Sequence, residues 1–168
     1  MSIYIREIKN DNEEIKLVKN FLFNQIMKVY GIDPTPKFHY DITSLKEYYI
    51  DPERNGFFIA FDDDNIVATS AIRAYDKDYE FFKGKYSSDN TASIWRLMVD
   101  ENYRRQGLAR QLVSVMEEFA SKKHYGNIYL HTHRYLDAAI PFWKSLGSQV
   151  TIEEDDYDET THMVKKLY

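Results

Sequence analysis

The sequence predicts an α/β fold of the α+β type, with a central mixed, mostly antiparallel sheet and helices on both faces. Strand-like and helix-like segments follow one another in the order β-α-α-β-β-β-α-β-α-β-β. A strand–helix–strand unit in the middle predicts parallel pairing there, whereas hairpins at both ends predict antiparallel pairing. The chain has 168 residues, 43% of them hydrophobic. This length suits a single domain, residues 1–168, with a packed core.

The first two elements are a strand at residues 3–8, where isoleucines alternate loosely with polar residues, and a long helix. Asp11 or Asn12 can cap that helix, and Gly31 followed by Pro34 ends it. Its apolar residues recur at spacings of three and four, which predicts one buried face: Ile15, Val18, Leu22, Ile26 and Val29.

A second, short helix is predicted next, with Thr43 as its cap and Leu45, Tyr48 and Tyr49 within it. Residues 57–61 and 66–72 predict a hairpin, because the acidic segment between them has turn composition. Residues 76–90 form a long polar connection that could border a site. The remaining strands are predicted at 91–99, 127–132, 150–153 and 161–167. The remaining helices are predicted at 107–124 and from an Asp137 cap to Leu146, ended by Gly147.

Composition excludes several classes of protein and site. A net charge of −5 argues against a general nucleic-acid binder, and the absence of cysteine excludes disulfides and thiolate metal sites. No His/Asp/Glu cluster has ligand spacing, so no metal is expected. The N-terminal residues lack the pattern of a signal peptide, and no apolar stretch approaches the roughly 20 residues that span a bilayer. We therefore expect a cytoplasmic protein with no membrane partner.

The stretch from Trp95 to Arg110 carries the chemical signal. A strand ends, a basic loop follows, and Gly107 stands where a helix opens. Helix N-termini present unpaired N–H groups and partial positive charge, which together bind phosphate. The alternative is a helix that merely begins with a basic turn, but cations oppose the helix dipole there unless an anion joins them. The loop matches neither the triphosphatase P-loop nor the Rossmann fingerprint.

The hexapeptide from Arg104 to Ala109 resembles the [QR]-x-x-G-x-[GA] loop of the GNAT superfamily of N-acetyltransferases. The preceding Leu97-Met98-Val99 is similar to the strand that those enzymes use for the pantetheine arm. The segment 138–147 resembles their second signature helix. Two such motifs at this distance, with a strand between them, make the resemblance specific.

The resemblance implies that acetyl-CoA, or another acyl-CoA, is the donor. Backbone groups of Leu97, Met98 and Val99 would hold the pantetheine and the thioester. The second helix would flank the thiol end through Ala139, Phe142 and Trp143. The pyrophosphate would be bound by the loop and the start of the following helix: Arg104, Arg105, Gln106, Gly107, Leu108, Ala109 and Arg110.

Two departures from the family pattern concern the catalytic residues. Trp143 stands where many members have the tyrosine that protonates the leaving thiolate, and an indole N–H is no useful acid; Tyr135 is a candidate substitute. Ser93 stands near the position of a common glutamate base. His131 is the first candidate base, because ribosomal-protein N-terminal acetyltransferases carry a glutamate there and imidazole suits proton transfer at neutral pH. His133 is the second candidate.

The resemblance therefore implies an N-acetyltransferase in which a primary amine attacks acetyl-CoA directly. The acceptor stays open between a small molecule, an amino acid and a protein amine. The alternative function is a non-catalytic acyl-CoA sensor, which the missing tyrosine and glutamate favour. Many members are dimers, so a homodimer is also open.

Overall fold

The computed structural model describes residues 2–168 and confirms the predicted order of elements. Seven strands form one mixed, mostly antiparallel sheet in the order β1-β2-β3-β4-β5-β7-β6. The strands are β1 Ile3–Glu7, β2 Gly56–Asp62, β3 Asn65–Ala74, β4 Thr91–Val99, β5 Asn127–His133, β6 Gln149–Glu153 and β7 Thr160–Lys166. The helices are α1 Asn12–Tyr30, α2 Pro36–Thr43, α3 Leu108–Lys122 and α4 Ala139–Ser145.

Two compact units make up the described chain, and the first comprises residues 2–73 and 95–116. Here β1, β2 and β3 form an antiparallel meander, with Ile5 opposite Ala60 and Phe58 opposite Ser70. Helix α1 begins as predicted, because the Asp11 side chain accepts the Glu14 N–H at 3.0 Å. The core of this unit joins the apolar face of α1 to the inner residues of the meander.

Two details of the predicted helices in the first unit are wrong. Val29 is exposed rather than buried, since the last turn of α1 extends beyond the core that covers Ile15 to Ile26. Thr43 is the last residue of α2, not the cap of a helix. Pro36 opens α2, where its missing N–H costs nothing, so the helix runs earlier than predicted. Tyr48 and Tyr49 lie in a π-helical turn at Lys46–Ile50.

The second unit comprises residues 74–94 and 117–168. The predicted parallel pairing is confirmed here, with Ser93 of β4 opposite Tyr129 of β5. Strands β5, β7 and β6 are antiparallel neighbours. The predicted Asp137 cap is wrong: α4 starts after Ala138, which is already right-handed (φ −88°, ψ −11°), and no side chain caps it. The chain enters α4 from a turn, in which the Leu136 N–H donates to the His133 carbonyl.

Candidate active site

The basic loop of the first unit is fixed at its start by three hydrogen bonds. Asp100 accepts the Asn102 N–H at 2.9 Å and so caps a short 3₁₀ turn. The Tyr103 hydroxyl then donates to the Asp62 carboxylate at 2.6 Å, which ties this turn to the β2–β3 hairpin. The Arg104 Nε donates to the Val99 carbonyl at 3.1 Å, so the first arginine folds back on the end of β4.

The loop then turns through two left-handed residues, Arg105 (φ +62°) and Gly107 (φ +80°). A side chain at position 107 would meet no atom within 4 Å, so the backbone conformation is what favours glycine there. Helix α3 follows at once, and its first hydrogen bond to this loop runs from the Gln111 N–H to the Gly107 carbonyl. The first N–H groups of a helix have no partner within the helix, so this turn offers backbone donors.

The seven residues predicted for the pyrophosphate differ in exposure. The side chains of Arg104, Arg105, Gln106 and Arg110 are exposed, whereas Leu108 is buried and Ala109 is half-buried. The first turn of α3 carries no acidic residue. The loop and the start of α3 therefore present cationic side chains at the surface, whereas the Leu108 side chain is buried in the core.

Arg96 interrupts β4 just before the predicted pantetheine segment. Its backbone is left-handed (φ +51°), and the Thr69 hydroxyl donates to its carbonyl at 2.9 Å. Leu97, Met98 and Val99 follow as half-buried residues at the end of the strand. Nothing in the sequence pattern indicated this interruption, since a non-glycine left-handed residue in a strand has no propensity signal.

A buried ionic cluster lies beneath Arg96 in the same unit. Asp41 is 0% exposed and accepts from the Arg96 Nε at 3.0 Å and the Arg96 Nη2 at 2.6 Å. The Arg73 Nη1 lies 3.8 Å from the same carboxylate, and the Tyr49 hydroxyl donates to it at 2.6 Å. The Arg73 guanidinium, 1% exposed, stacks over the Trp95 ring at 3.8 Å.

The cluster sets the ionisation of Asp41. Burial opposes the charged form, but the hydrogen bonds and charge of Arg96, together with Tyr49 and Arg73, outweigh it and lower the pKa of Asp41. Two guanidinium groups therefore share one carboxylate. Among residues 2–168, the hydrogen bonds of the Arg96 guanidinium are made by its Nε and Nη2, and none is made by its Nη1. The Arg96 side chain is 13% exposed.

The predicted catalytic residues lie in the second unit. His131 and His133 occupy alternate positions of β5, and their rings are 5.9 Å apart, edge to face. Tyr135 is exposed and stacks on His133 at 5.2 Å, rather than on His131. The His133 Nδ1 lies 2.8 Å from the Asp158 carbonyl. The structure therefore groups Tyr135 with the second candidate base.

A hydrogen-bonded chain that the sequence did not predict lies beside His131. The Tyr129 hydroxyl lies 2.6 Å from the His162 Nδ1, and the His162 Nε2 lies 2.7 Å from the Glu154 Oε2. His162 is 0% exposed and is the cross-strand partner of His131. The alternating polar residues of β5 and β7 could have indicated this chain, but only if the pairing register of the two strands had been known.

Helix α4 carries the three residues predicted to flank the thiol end. Ala139 and Phe142 are half-buried, and Trp143 is buried, with its ring 5.0 Å from that of Phe142. Among residues 2–168 no three histidine, aspartate or glutamate side chains are placed to hold a metal ion. Nor does this part of the chain contain a helix with the length and apolarity required to cross a membrane.

Comparison with known families identifies this arrangement of motifs. The model of the acetyltransferase (GNAT) family matches residues 22–147. The chain belongs to the GNAT family of acetyltransferases. Residues Arg104 to Ala109 and the whole segment 138–147 fall inside that match.

Individual GNAT proteins agree with this assignment. N-acetylaspartate synthetase of Rattus norvegicus is 30% identical over 119 residues, which are 71% of this chain and 36% of the relative. The chain thus spans just over a third of that relative. A GNAT acetyltransferase of Staphylococcus aureus superposes with a TM-score of 0.79 at 16% identity, covering 99% and 100% of the two chains. PaiA N-acetyltransferase of Thermoplasma acidophilum, solved with coenzyme A, gives 0.69 at 19% identity, covering 99% of each.

Proposed function

We propose that this GNAT protein is an acetyl-CoA-dependent N-acetyltransferase that acts on a primary amine. The loop at Arg104–Gly107 carries the proposal, because its two left-handed residues and the start of α3 make a cradle of N–H groups and guanidinium groups. The coenzyme A in the structure of the PaiA enzyme supports the same donor.

The residues present fit coenzyme A. The lack of acidic residues in the first turn of α3 and the exposed Arg104, Arg105 and Arg110 suit a pyrophosphate. Leu97, Met98 and Val99, at the end of β4, would bind the pantetheine through their backbone, and Ala139, Phe142 and Trp143 would flank it. Bound acetyl-CoA supplies the thioester that the amine attacks. A backbone N–H near Val99 would stabilise the oxyanion.

His131 is the proposed general base. An amine is an ammonium ion at neutral pH and must lose a proton before it attacks. Replacing His131 with asparagine is expected to lower kcat by about 10²–10⁴-fold, the usual contribution of a positioned base. His124→Asn is the matched control, since His124 lies at the end of α3 with a left-handed backbone that asparagine tolerates. Thiol release from acetyl-CoA measures both, and equal turnover by the two variants would remove His131 as the base.

We further propose that the acceptor carries a carboxylate beside its amine. The Arg96 Nη1 is available to bind an anion, and the cluster beneath it holds two cations against one carboxylate. The name N-acetylaspartate synthetase, given to relatives of Rattus norvegicus and Homo sapiens, supports an amino-acid acceptor.

The acceptor proposal predicts a preference that simple assays measure. L-Aspartate and L-glutamate are expected to give a kcat/KM at least about 10-fold above that of their α-amides or of spermine, since one charge-assisted hydrogen bond contributes about 1.5–3 kcal/mol. Arg96→Lys keeps the charge but loses the planar guanidinium that can donate two hydrogen bonds to one carboxylate. It is therefore expected to raise KM for L-aspartate and L-glutamate but not for spermine. A higher kcat/KM for spermine than for the amino acids would overturn the proposal that the acceptor carries a carboxylate. Tight coenzyme A binding without turnover of any acceptor would favour a sensor instead.

A further inference from the structure

Tyr40 extends the buried ionic cluster of the first unit towards the surface. The Arg73 Nη2 donates to the Tyr40 hydroxyl oxygen at 2.9 Å, and the Arg73 side chain is 1% exposed whereas Tyr40 is 38% exposed. Among residues 2–168 this hydroxyl accepts that bond and donates none, so its proton is available to a ligand. We propose that Tyr40 is a specificity-determining residue, whose hydroxyl donates a hydrogen bond to the carboxylate beside the acceptor amine.

Helix α2 brings Tyr40 to Arg73 through an interruption of its regular backbone. His39 departs from helical geometry, with φ −121° and ψ 22°. On one side of it, the Phe38 carbonyl accepts from the Arg96 Nη2 at 2.8 Å. On the other side, Tyr40 accepts from Arg73. A ligand bound by Arg96 therefore lies beside the helix that carries Tyr40.

The charges of the cluster favour an anion as that ligand. Arg73 and Arg96 share the single carboxylate of Asp41. Aromatic rings, which carry no full charge, also lie within 5.8 Å of the Arg73 Cζ: Tyr40, Tyr48, Tyr49 and Trp95. A bound carboxylate would supply the second negative charge that the two guanidinium groups lack.

The hydrogen bond from Arg73 prepares the Tyr40 hydroxyl as a donor. A cation that donates to the phenol oxygen polarises the O–H bond, and this strengthens the hydrogen bond that the same hydroxyl gives. Tyr40 thus transmits the charge of Arg73, which is itself closed to solvent, to a group of the acceptor. A carboxylate gains from this polarised donor, whereas an amide gains less and an ammonium group cannot accept the bond.

This role of Tyr40 rests on the proposed transferase function and on its carboxylate-bearing acceptor. The test is Tyr40→Phe, which removes the hydroxyl and keeps the ring. Tyr48→Phe is the matched control, because the Tyr48 ring packs on Tyr40 at 5.3 Å and lies 5.0 Å from the Arg73 Cζ, but its hydroxyl bonds to no group among residues 2–168. Thiol release from acetyl-CoA gives kcat and KM for L-aspartate, L-glutamate, their α-amides and spermine.

Tyr40→Phe is expected to lower kcat/KM for L-aspartate and L-glutamate by about 10–100-fold through KM, the effect of one lost hydrogen bond to a charged group. Its kcat/KM for the α-amides and spermine is expected to match the wild type, and Tyr48→Phe is expected to match it for every acceptor. A loss shared by all acceptors would show a structural role and overturn the proposed specificity.

The other outcomes separate Tyr40 from the function on which its role rests. If the wild type prefers the amino acids and Tyr40→Phe does too, with unchanged kcat/KM, the role of Tyr40 is wrong while the transferase and its acceptor stand. If the wild type prefers spermine, the carboxylate-bearing acceptor and the role of Tyr40 are both wrong. If the wild type turns over none of these acceptors, the transferase function is wrong as well.

Discussion

Asp41→Ala is expected to destabilise the protein by about 3–5 kcal/mol, the usual cost of removing one partner from a buried ion pair. The carboxylate is fully buried and is shared by Arg73 and Arg96, which lie 32 and 55 residues away in sequence. Without it, two guanidinium groups of like charge remain close together in the interior. At this chain length the loss corresponds to a fall in Tm on the order of 10 °C, which calorimetry measures.

Asp51→Ala is the control for the Asp41 variant. It removes a carboxylate that also bonds a cation, Lys46, at 2.7 Å, but both side chains are about half exposed. Its expected cost is at most about 1 kcal/mol. A similar cost for the two variants would mean that the buried cluster contributes no more than a surface ion pair.

The same cluster predicts how stability depends on pH. Since the folded state lowers the pKa of Asp41, its contribution is complete above the unfolded value of about 4 and is lost as pH falls through the folded value. The difference in unfolding free energy between wild type and Asp41→Asn, measured by urea titration from pH 7 to pH 3, is therefore expected to shrink in the acid range. A difference that stays constant with pH would contradict the depressed pKa.

The order of elements could be predicted because it depends on local signals. The Asp11 cap, the periodic apolar residues of α1 and the turn composition between β2 and β3 act within a few residues of one another. The details that could not be predicted depend on tertiary packing. Val29 has the right spacing for burial, but it lies outside the core that buries Ile26. The Tyr49 hydroxyl, in the π-helical turn, donates to Asp41, which lies eight residues earlier in the sequence.

For the proposed site, the sequence suggested only the parts whose residues are consecutive. The loop from Arg104 to Ala109 could be proposed from the sequence because its residues adjoin one another and lead directly into the start of α3. The Asp41 cluster and the His162 chain depend instead on pairing between distant strands and helices. A shift of one residue between β5 and β7 would place His162 and His131 on opposite faces of the sheet, so the sequence alone could not join them.

Arg104→Glu/Arg105→Glu is expected to weaken coenzyme A binding by at least about 100-fold, because each charge-assisted hydrogen bond contributes about 1.5–3 kcal/mol and each 1.4 kcal/mol is a factor of ten. The reversed charges would also repel the pyrophosphate at the N-terminal end of α3. Neither side chain has a role in the core, since both are exposed, so the thermal stability of the variant is expected to be close to that of the wild type. Isothermal titration with coenzyme A measures the effect.

Lys122→Glu/Lys123→Glu makes the same change of net charge at the opposite end of α3 and serves as the control. Lys122 is exposed and pairs with Glu118 along the helix, at 3.1 Å, so its reversal leaves the loop untouched. If long-range charge alone governed affinity, both double variants would weaken binding alike, and more so at low salt. Loss confined to the arginine variant would attribute the binding to direct contact with the loop, whereas equal affinity of all three proteins would exclude this loop as the coenzyme A site.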